Sequence, residues 1–340
     1  MNIIKWASVL IIIFLTFTFL KSSSPYLIPI VLASVFSFLI IEISGTFRSI
    51  KIKDKKIPNW LSMCFSIGTV ILILWLLIII INGNIQKVIV VAPIYQEKLI
   101  TLSEPILSNQ LILQFPEINE AINSINITKV LSMVAGIAKD ITSNAAMILI
   151  YSVFILLEYR IFKYKLSLIF KKIKINDIID DINKDIRIYV LIKSGLSLLT
   201  AILSFIVLHL AGIDFAPLWA MLIFLLNFIP TVGSIIAVSF PIIISLVQFD
   251  GLFIFTVVAI SLVSIQVMIG NFLEPRLMGK SLNLSPLVIL LSLVLWGNIW
   301  GITGMLLCVP ITVIANIILA KFESTKPIAI MLSANGKIDK

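Results

Sequence analysis

Six runs of apolar residues, each 18 to 24 residues long, divide this 340-residue chain: 3–20, 26–47, 60–82, 142–162, 188–211 and 251–272. That length matches the ~20 residues a helix needs to cross a hydrocarbon core ~30 Å thick. Inside lipid a segment must satisfy its own backbone hydrogen bonds, so such runs are helices rather than open strands. Charged residues make up 13% of the chain and apolar residues 60%, where a soluble domain is about a quarter charged. A water-soluble enzyme could not cover itself with so little polar surface, and a disordered chain is poor in apolar residues. The first run has no small-x-small cleavage site and the second follows at once, so it reads as a span rather than a signal peptide.

The net charge of +9 is gathered in loops and predicts no nucleic-acid partner. Arg48, Lys51, Lys53, Lys55 and Lys56 face the single acid Asp54, and a second basic stretch holds Arg160, Lys163, Lys165, Lys171, Lys172, Lys174, Lys184 and Arg187. Excess Lys and Arg mark cytoplasmic loops. This places both termini in the cytoplasm. Ile169, Ile173, Ile178, Ile182 and Ile186 thread the second stretch, as an amphipathic helix on the inner surface requires. Residues 83–141 are near neutral and fall outside. Ile118, Ile122, Ile125, Val130, Val134 and Ile137 recur there at helical spacing, with breaks near Pro105 and Pro116. The segment reads as an extracytoplasmic helical subdomain, either a packed connector or a contact surface; a homo-oligomer is the expected state. The organisation is then 1–82 (three spans), 83–141, 142–187 (one span and the amphipathic helix), 188–322 (a C-terminal core) and a cytoplasmic tail, 323–340.

Two further apolar blocks are too long for one span, and each is broken. Residues 217–248 are interrupted from Asn227 to Ser234, and 286–320 from Trp296 to Gly304. The 13-residue arm 217–229 reaches only about 20 Å, short of the membrane thickness. Pro230 and Gly233 sit where a helix stops and turns. The blocks align without a gap at an offset of 69, matching Pro217 with Pro286, Leu218 with Leu287, Leu222 with Leu291 and Pro241 with Pro310. The predicted fold is an all-α polytopic membrane protein: about six full spans plus two re-entrant helical hairpins, eight hydrophobic blocks in all. Span plus hairpin (188–248), then span plus hairpin (251–320), makes an inverted repeat if the first hairpin enters from outside and the second from inside. In secondary transporters such interrupted helices point to the binding site. The competing topology treats each block as one kinked span and puts 273–285 outside, against the charges of Arg276 and Lys280.

Cys64 and Cys308 lie in apolar runs at no disulfide or metal spacing, and the single histidine, His209, has no triad or zinc partners in sequence. With no P-loop and no catalytic set, no enzyme activity, cofactor or metal is expected.

Three strings then carry a resemblance: DIRIYVLIKSG (185–195), APLWAMLIFLLNFIPTVGSII (216–236), and IQVMIGNFLEPRLMGKSLNLSPLVILLSLVLWGNIWGITGMLLCVPIT (265–312). They resemble the autoinducer-2 exporter family of multi-pass bacterial membrane transporters, most specifically at Asn-x-x-Glu-Pro-Arg followed by a Gly-rich apolar block. The family tends to have glycine where Ile192 and Asn283 stand. The resemblance implies export of a small, oxygen-rich solute; other members look like sodium or lithium/proton antiporters.

The candidate pathway residues follow from the residues themselves. Lys193, Ser197, Thr200 and Ser204 form a polar stripe on one helical face, for solute contact or for helix packing. Gln266, Gly270 and Glu274 repeat every four residues, with Asn271 beside them and Arg276 after Pro275. Glu274 is a candidate proton or cation site, or the partner of Arg276 in a structural pair. At the breaks, Asn227, Pro230, Thr231, Gly233 and Ser234, then Gly297, Asn298, Gly301, Thr303 and Gly304, offer donors, acceptors and helix ends, or only tight turns. The leading expectation is a secondary transporter of a small polar, autoinducer-2-like solute working by alternating access, with a proton or sodium as a possible coupling partner. A sodium or lithium/proton antiporter and a non-transporting membrane scaffold are the alternatives.

Overall fold

The computed structural model describes residues 2–49, 51–52, 55–107, 127–169, 175–249, 251–278 and 283–336. Pro116, Ile118, Ile122, Ile125, Lys53, Asp54, Lys171, Lys172, Ile173, Lys174 and Lys280, used above, lie outside them. The elements are helices α1 (Asn2–Ser22), α2 (Ser24–Ser49), α3 (Asn59–Leu107), α4 (Ile127–Ile169), α5 (Ile175–Leu210), α6 (Ala216–Leu226), α7 (Val232–Gln248), α8 (Leu252–Gln266), a π-helical segment (Val267–Leu273), α9 (Glu274–Met278), α10 (Pro286–Ala320) and α11 (Lys326–Leu332). The described residues also hold a two-residue antiparallel ribbon between α2 and α3, pairing Lys51 with Lys56 and Ile52 with Lys55. Five helices are long and apolar enough to cross a membrane, or six if α4, bent by 59° near Arg160, is one broken span. The chain is an all-α polytopic membrane protein.

Two compact units partition the chain: Met1–Ile71, Asn144–Lys193 and Arg276–Lys340 in the first, Leu72–Ser143 and Ser194–Pro275 in the second. The first broken block belongs to the second unit and the second broken block to the first.

In the second unit the core collects Val88, Ala92, Tyr95 and Leu99 of α3 with Leu208, Leu218, Trp219, Leu222, Ile244, Val258 and Leu262. The extension of α3 past residue 82 is therefore continuous with the third span. Its apolar face is buried against the first hairpin and its neighbours, where the sequence reading has a separate subdomain begin. α6 and α7 fold back on each other: Trp219 meets Phe240 at a ring distance of 6.2 Å. The base of this hairpin is clasped by Gln248, whose Nε2 donates to the Gly212 carbonyl at 2.8 Å while its Oε1 accepts from the Asp214 N–H at 2.9 Å. Trp219 Nε1 donates to the Asp214 carbonyl, and the Tyr95 hydroxyl to the Asp214 carboxylate. Burial, then the bond and the negative charge of Asp214, hold the Tyr95 phenol well above the usual tyrosine range.

In the first unit α10 is one apolar block folded on itself. Gly301 has φ 61°, ψ −140°, outside helical space, and Ser292 reaches both the Cys308 carbonyl and the Thr312 hydroxyl. The start of this hairpin is tied to α11, the helix that follows it. The Ser285 N–H donates to the Leu332 carbonyl and the Ala334 N–H to that of Asn283. Lys321, just past α10, pairs with Asp181 at 2.6 Å, and Arg187 pairs with Glu42 at 2.7 Å. Residues 175–187, read above as the end of a separate surface helix, are the first turns of α5. Asn283 has a positive φ of 39°, a conformation glycine adopts without strain and asparagine tolerates better than most. That accounts physically for the glycine which the family resemblance puts there.

Candidate functional site

The polar stripe of α5 is turned inward. Ser197, Thr200 and Ser204 are fully buried and Lys193 is 5% exposed, whereas Leu198, Leu199, Ile202 and Ile206 are exposed. A soluble helix shows the reverse; here the apolar face meets lipid and the hydroxyls face protein. Thr200 turns its hydroxyl to the Leu196 carbonyl of its own helix.

Within the second unit three of the expected residues converge from three elements. Asn227, at the end of α6, is 2% exposed. Its Nδ2 donates to Ser197 Oγ at 3.1 Å, and its Oδ1 accepts from Gln266 Nε2 at 3.3 Å. The chain of bonds thus runs Gln266 to Asn227 to Ser197, joining α8, the hairpin tip and α5. Two polar atoms here are buried with no hydrogen-bond partner, Gln266 Oε1 and Ser204 Oγ. Each such group costs about 1–3 kcal/mol when nothing meets it, so a water or a ligand that meets these two atoms would recover that cost.

The tip itself is strained. Thr231 has φ 54° and ψ −59°, and the Val232 N–H bonds to the Pro230 carbonyl across it. That is a γ-turn of the rare, positive-φ kind. Such backbone costs about 1–3 kcal/mol and persists where surrounding structure enforces it. Gly233 follows at once: a Cβ there would lie 2.0 Å from the Leu226 carbonyl oxygen and 2.5 Å from Ile229 Cβ. Ser234 turns its hydroxyl back to the Thr231 carbonyl, and Thr231 bonds to the Pro230 carbonyl. Their hydroxyl hydrogens are therefore spent locally, which leaves the hydroxyl oxygens able to accept.

α8 ends at Gln266 and the backbone passes into seven π-helical residues, Val267–Leu273. Gln266 Nε2 lies 3.2 Å from where a Gly270 Cβ would be, so the missing side chain makes room for the Gln266 amide. The wider π turn takes Asn271 to an exposed position and leaves Glu274 half-buried where the segment ends, bonded through its N–H to the Ile269 carbonyl. Single π turns inside α-helices recur at functional sites. Nothing in the composition of Val-Met-Ile-Gly-Asn-Phe-Leu announces this one, and a reading based on a 3.6-residue period misses it. Arg276 is exposed in α9.

In the first unit the second tip mirrors the first in one device. A Cβ on Gly304 would lie 1.9 Å from the Trp296 carbonyl oxygen. Under the 69-residue offset Gly233 aligns with Ile302, so the two contacting glycines are equivalent in geometry but not in register. Gly297 packs on Met305, Asn298 bonds to its own helix at the Val294 carbonyl, and Trp300 Nε1 donates to the Leu20 carbonyl of α1. Thr303 is half-buried and Gly301 exposed at the bend. Among the described residues no group of three His, Cys, Asp or Glu is placed to hold a metal ion.

A family model described as AI-2E family transporter matches residues 8–324 of this chain. A protein of Borreliella burgdorferi described as a candidate transport protein is 37% identical over 255 residues, covering 72% of this chain and 68% of its own length. One of Haemophilus influenzae, described in the same way, is 31% identical over 294 residues, covering 82% and 83%. The AI-2 transport protein TqsA of Escherichia coli is 38% identical over 149 residues, 44% of this chain and 43% of that one.

Proposed function

We propose a solute pathway for this chain, which belongs to the AI-2E transporter family and is a multi-pass membrane transporter: a small, hydroxyl-rich solute makes its central contact at Asn227, Gln266 and the buried stripe of α5. The observation that carries this reading is the Gln266–Asn227–Ser197 chain, buried between three helical elements with Gln266 Oε1 left over as an acceptor. Gln266 Oε1 is an amide oxygen that needs a donor, and Ser204 Oγ can either accept or donate; a sugar-like or polyol hydroxyl does both, whereas a carboxylate only accepts and leaves Gln266 Oε1 unmet. The printed name of the Escherichia coli relative, an AI-2 transport protein, favours AI-2 as the first solute to test.

Alternating access is the proposed mechanism. The strained γ-turn at Thr231 and the π turn after Gln266 are the two places where backbone is held away from its preferred geometry. A rearrangement at either re-aims Asn227 or Gln266. The inverted sidedness of the two hairpins and cytoplasmic termini in a bacterial inner membrane are part of the same reading. They rest on the basic loops around Arg48, Lys163 and Arg276.

A second reading, exchange of a monovalent cation for a proton, is favoured by one observation. Gln266 Oε1, Ser204 Oγ and the hydroxyl oxygens of Thr231 and Ser234 are oxygens of the kind a hard cation takes as ligands, and Glu274 is the nearby group along the chain able to carry a proton. The deciding experiment is flux into liposomes holding the purified chain, with AI-2, sodium and protons each followed separately. Solute flux that Asn227→Ala abolishes supports the first reading. Sodium-driven proton movement without solute supports the second. Neither flux would leave the chain a scaffold and sink both.

A further inference from the structure

The first unit contains a long apolar groove of about 1060 Å³ that the pathway above does not use. One wall is α1, from Phe14 and Phe17 to Lys21 and Ser22; the other is both arms of the α10 hairpin, with Leu332 of α11 at the far end. The Trp300 bond to the Leu20 carbonyl pins the hairpin tip beside the end of α1 that carries Lys21. Leu332 is bonded to Ser285 at the hairpin base. Its lining on the first arm runs from Val288 to Ile299, about 17 Å at 1.5 Å per residue, which matches the ~15 Å of one leaflet's hydrocarbon.

Three properties select an occupant. The lining is almost wholly apolar, so water does not fill it. It opens on helices whose outer faces are exposed Leu10, Phe14, Leu287 and Leu291, so a bilayer surrounds it. At one end only, it carries a cation, Lys21, an exposed side chain with Ser22 and Thr18 beside it. An ammonium flanked by hydroxyls at the end of an acyl-sized slot matches a phosphate headgroup. We propose that this groove binds one anionic phospholipid, its acyl chain lying between α1 and the α10 hairpin and its phosphate on Lys21. The lipid braces the second hairpin against α1 along its length, in addition to the Trp300 bond at the tip.

The full chain, reconstituted in phosphatidylcholine vesicles, is photolysed with a small fraction of phosphatidylglycerol or of phosphatidylcholine carrying a diazirine in the acyl chain. Labelled peptides are mapped by mass spectrometry. The expected result is labelling of 14–22 and 288–315 several-fold stronger from phosphatidylglycerol, with Phe253, exposed on α8, labelled equally by both. Lys21→Gln should bring the phosphatidylglycerol signal down to the phosphatidylcholine level. Ala315→Phe, which fills the slot and keeps the charge, should lower labelling from both. Equal labelling of 14–22 and 288–315 by the two lipids overturns the proposal. So does no labelling there, the outcome if a second copy of the chain covers the groove.

Discussion

Ser292 and Thr312, twenty residues apart in one apolar block, share a hydrogen bond between their hydroxyls. A straight helix would hold them about 30 Å apart. The block therefore turns back on itself, and the same holds for the first block, where Gly233 sits against the Leu226 carbonyl. Each tip closes only because one residue after the turn lacks a side chain.

The glycines at the tips should separate by mechanism. Gly233→Ala and Gly304→Ala place a methyl within 2.0 Å and 1.9 Å of a backbone oxygen, and backbone has no room to give. Each should cost at least about 3 kcal/mol and abolish a monodisperse peak in detergent. Gly301→Ala meets nothing within 4 Å and should cost only the about 1–3 kcal/mol of its positive φ. Thermal unfolding followed by size-exclusion chromatography ranks the three. Equal losses would refute the steric account.

Asn227→Ala removes two buried bonds and strands the Gln266 amide, at about 1–3 kcal/mol. Gln266→Ala removes one of those bonds and also an unsatisfied acceptor, so its cost should be smaller. The double variant should be less destabilised than the sum of the singles, by about 0.5–1.5 kcal/mol. Strict additivity in the detergent melts would mean the chain of bonds is not formed in solution.

Tyr95 lies beyond the apolar window 59–80 of α3 and links it to the hairpin base through Asp214. Its folded-state pKa is raised above the ordinary value of about 10, so the folded form resists losing the proton and the unfolded form does not. The stability Tyr95 contributes is complete below pH 10 and declines as pH climbs past it. Tyr95→Phe should be less stable than wild type at pH 8, by about 1.5–3 kcal/mol for a bond to a charged group. The gap should narrow at pH 11. A gap constant with pH would show that packing alone makes the difference.

The broken blocks were legible because Asn, Pro and Gly interrupt apolar runs too long for one span and too short for two. Asn227, Ser197 and Gln266 were legible because polar residues inside such runs have few reasons to be there. The partition into two units was not, since it depends on which apolar faces meet, and every face is apolar. Nor was the extension of α3: Lys87, Glu97 and Lys98 look like an aqueous segment, while Val88, Ala92, Tyr95 and Leu99, spaced three and four apart, carry the packing face. The π segment leaves no compositional trace. The groove beside α1 required knowing that the α10 tip reaches Leu20.

The fold-back of α10 makes a sidedness prediction that the single-span alternative cannot share. Ser285, before the hairpin, is bonded to Leu332 beyond it, whereas the tip meets Leu20 near the far end of α1. With Cys64 and Cys308 replaced, Ser285→Cys and Glu323→Cys should react with a membrane-impermeant maleimide from the same face of sealed vesicles, and Ser22→Cys from the opposite one. A helix that crossed once would separate 285 from 323 by a full bilayer, and an impermeant reagent would then reach only one of them from each side. Labelling of Ser285→Cys together with Ser22→Cys, and not with Glu323→Cys, would therefore remove the second hairpin from the fold. The groove proposed along it would be lost as well, while the Asn227 site, built wholly within the other unit, would stand.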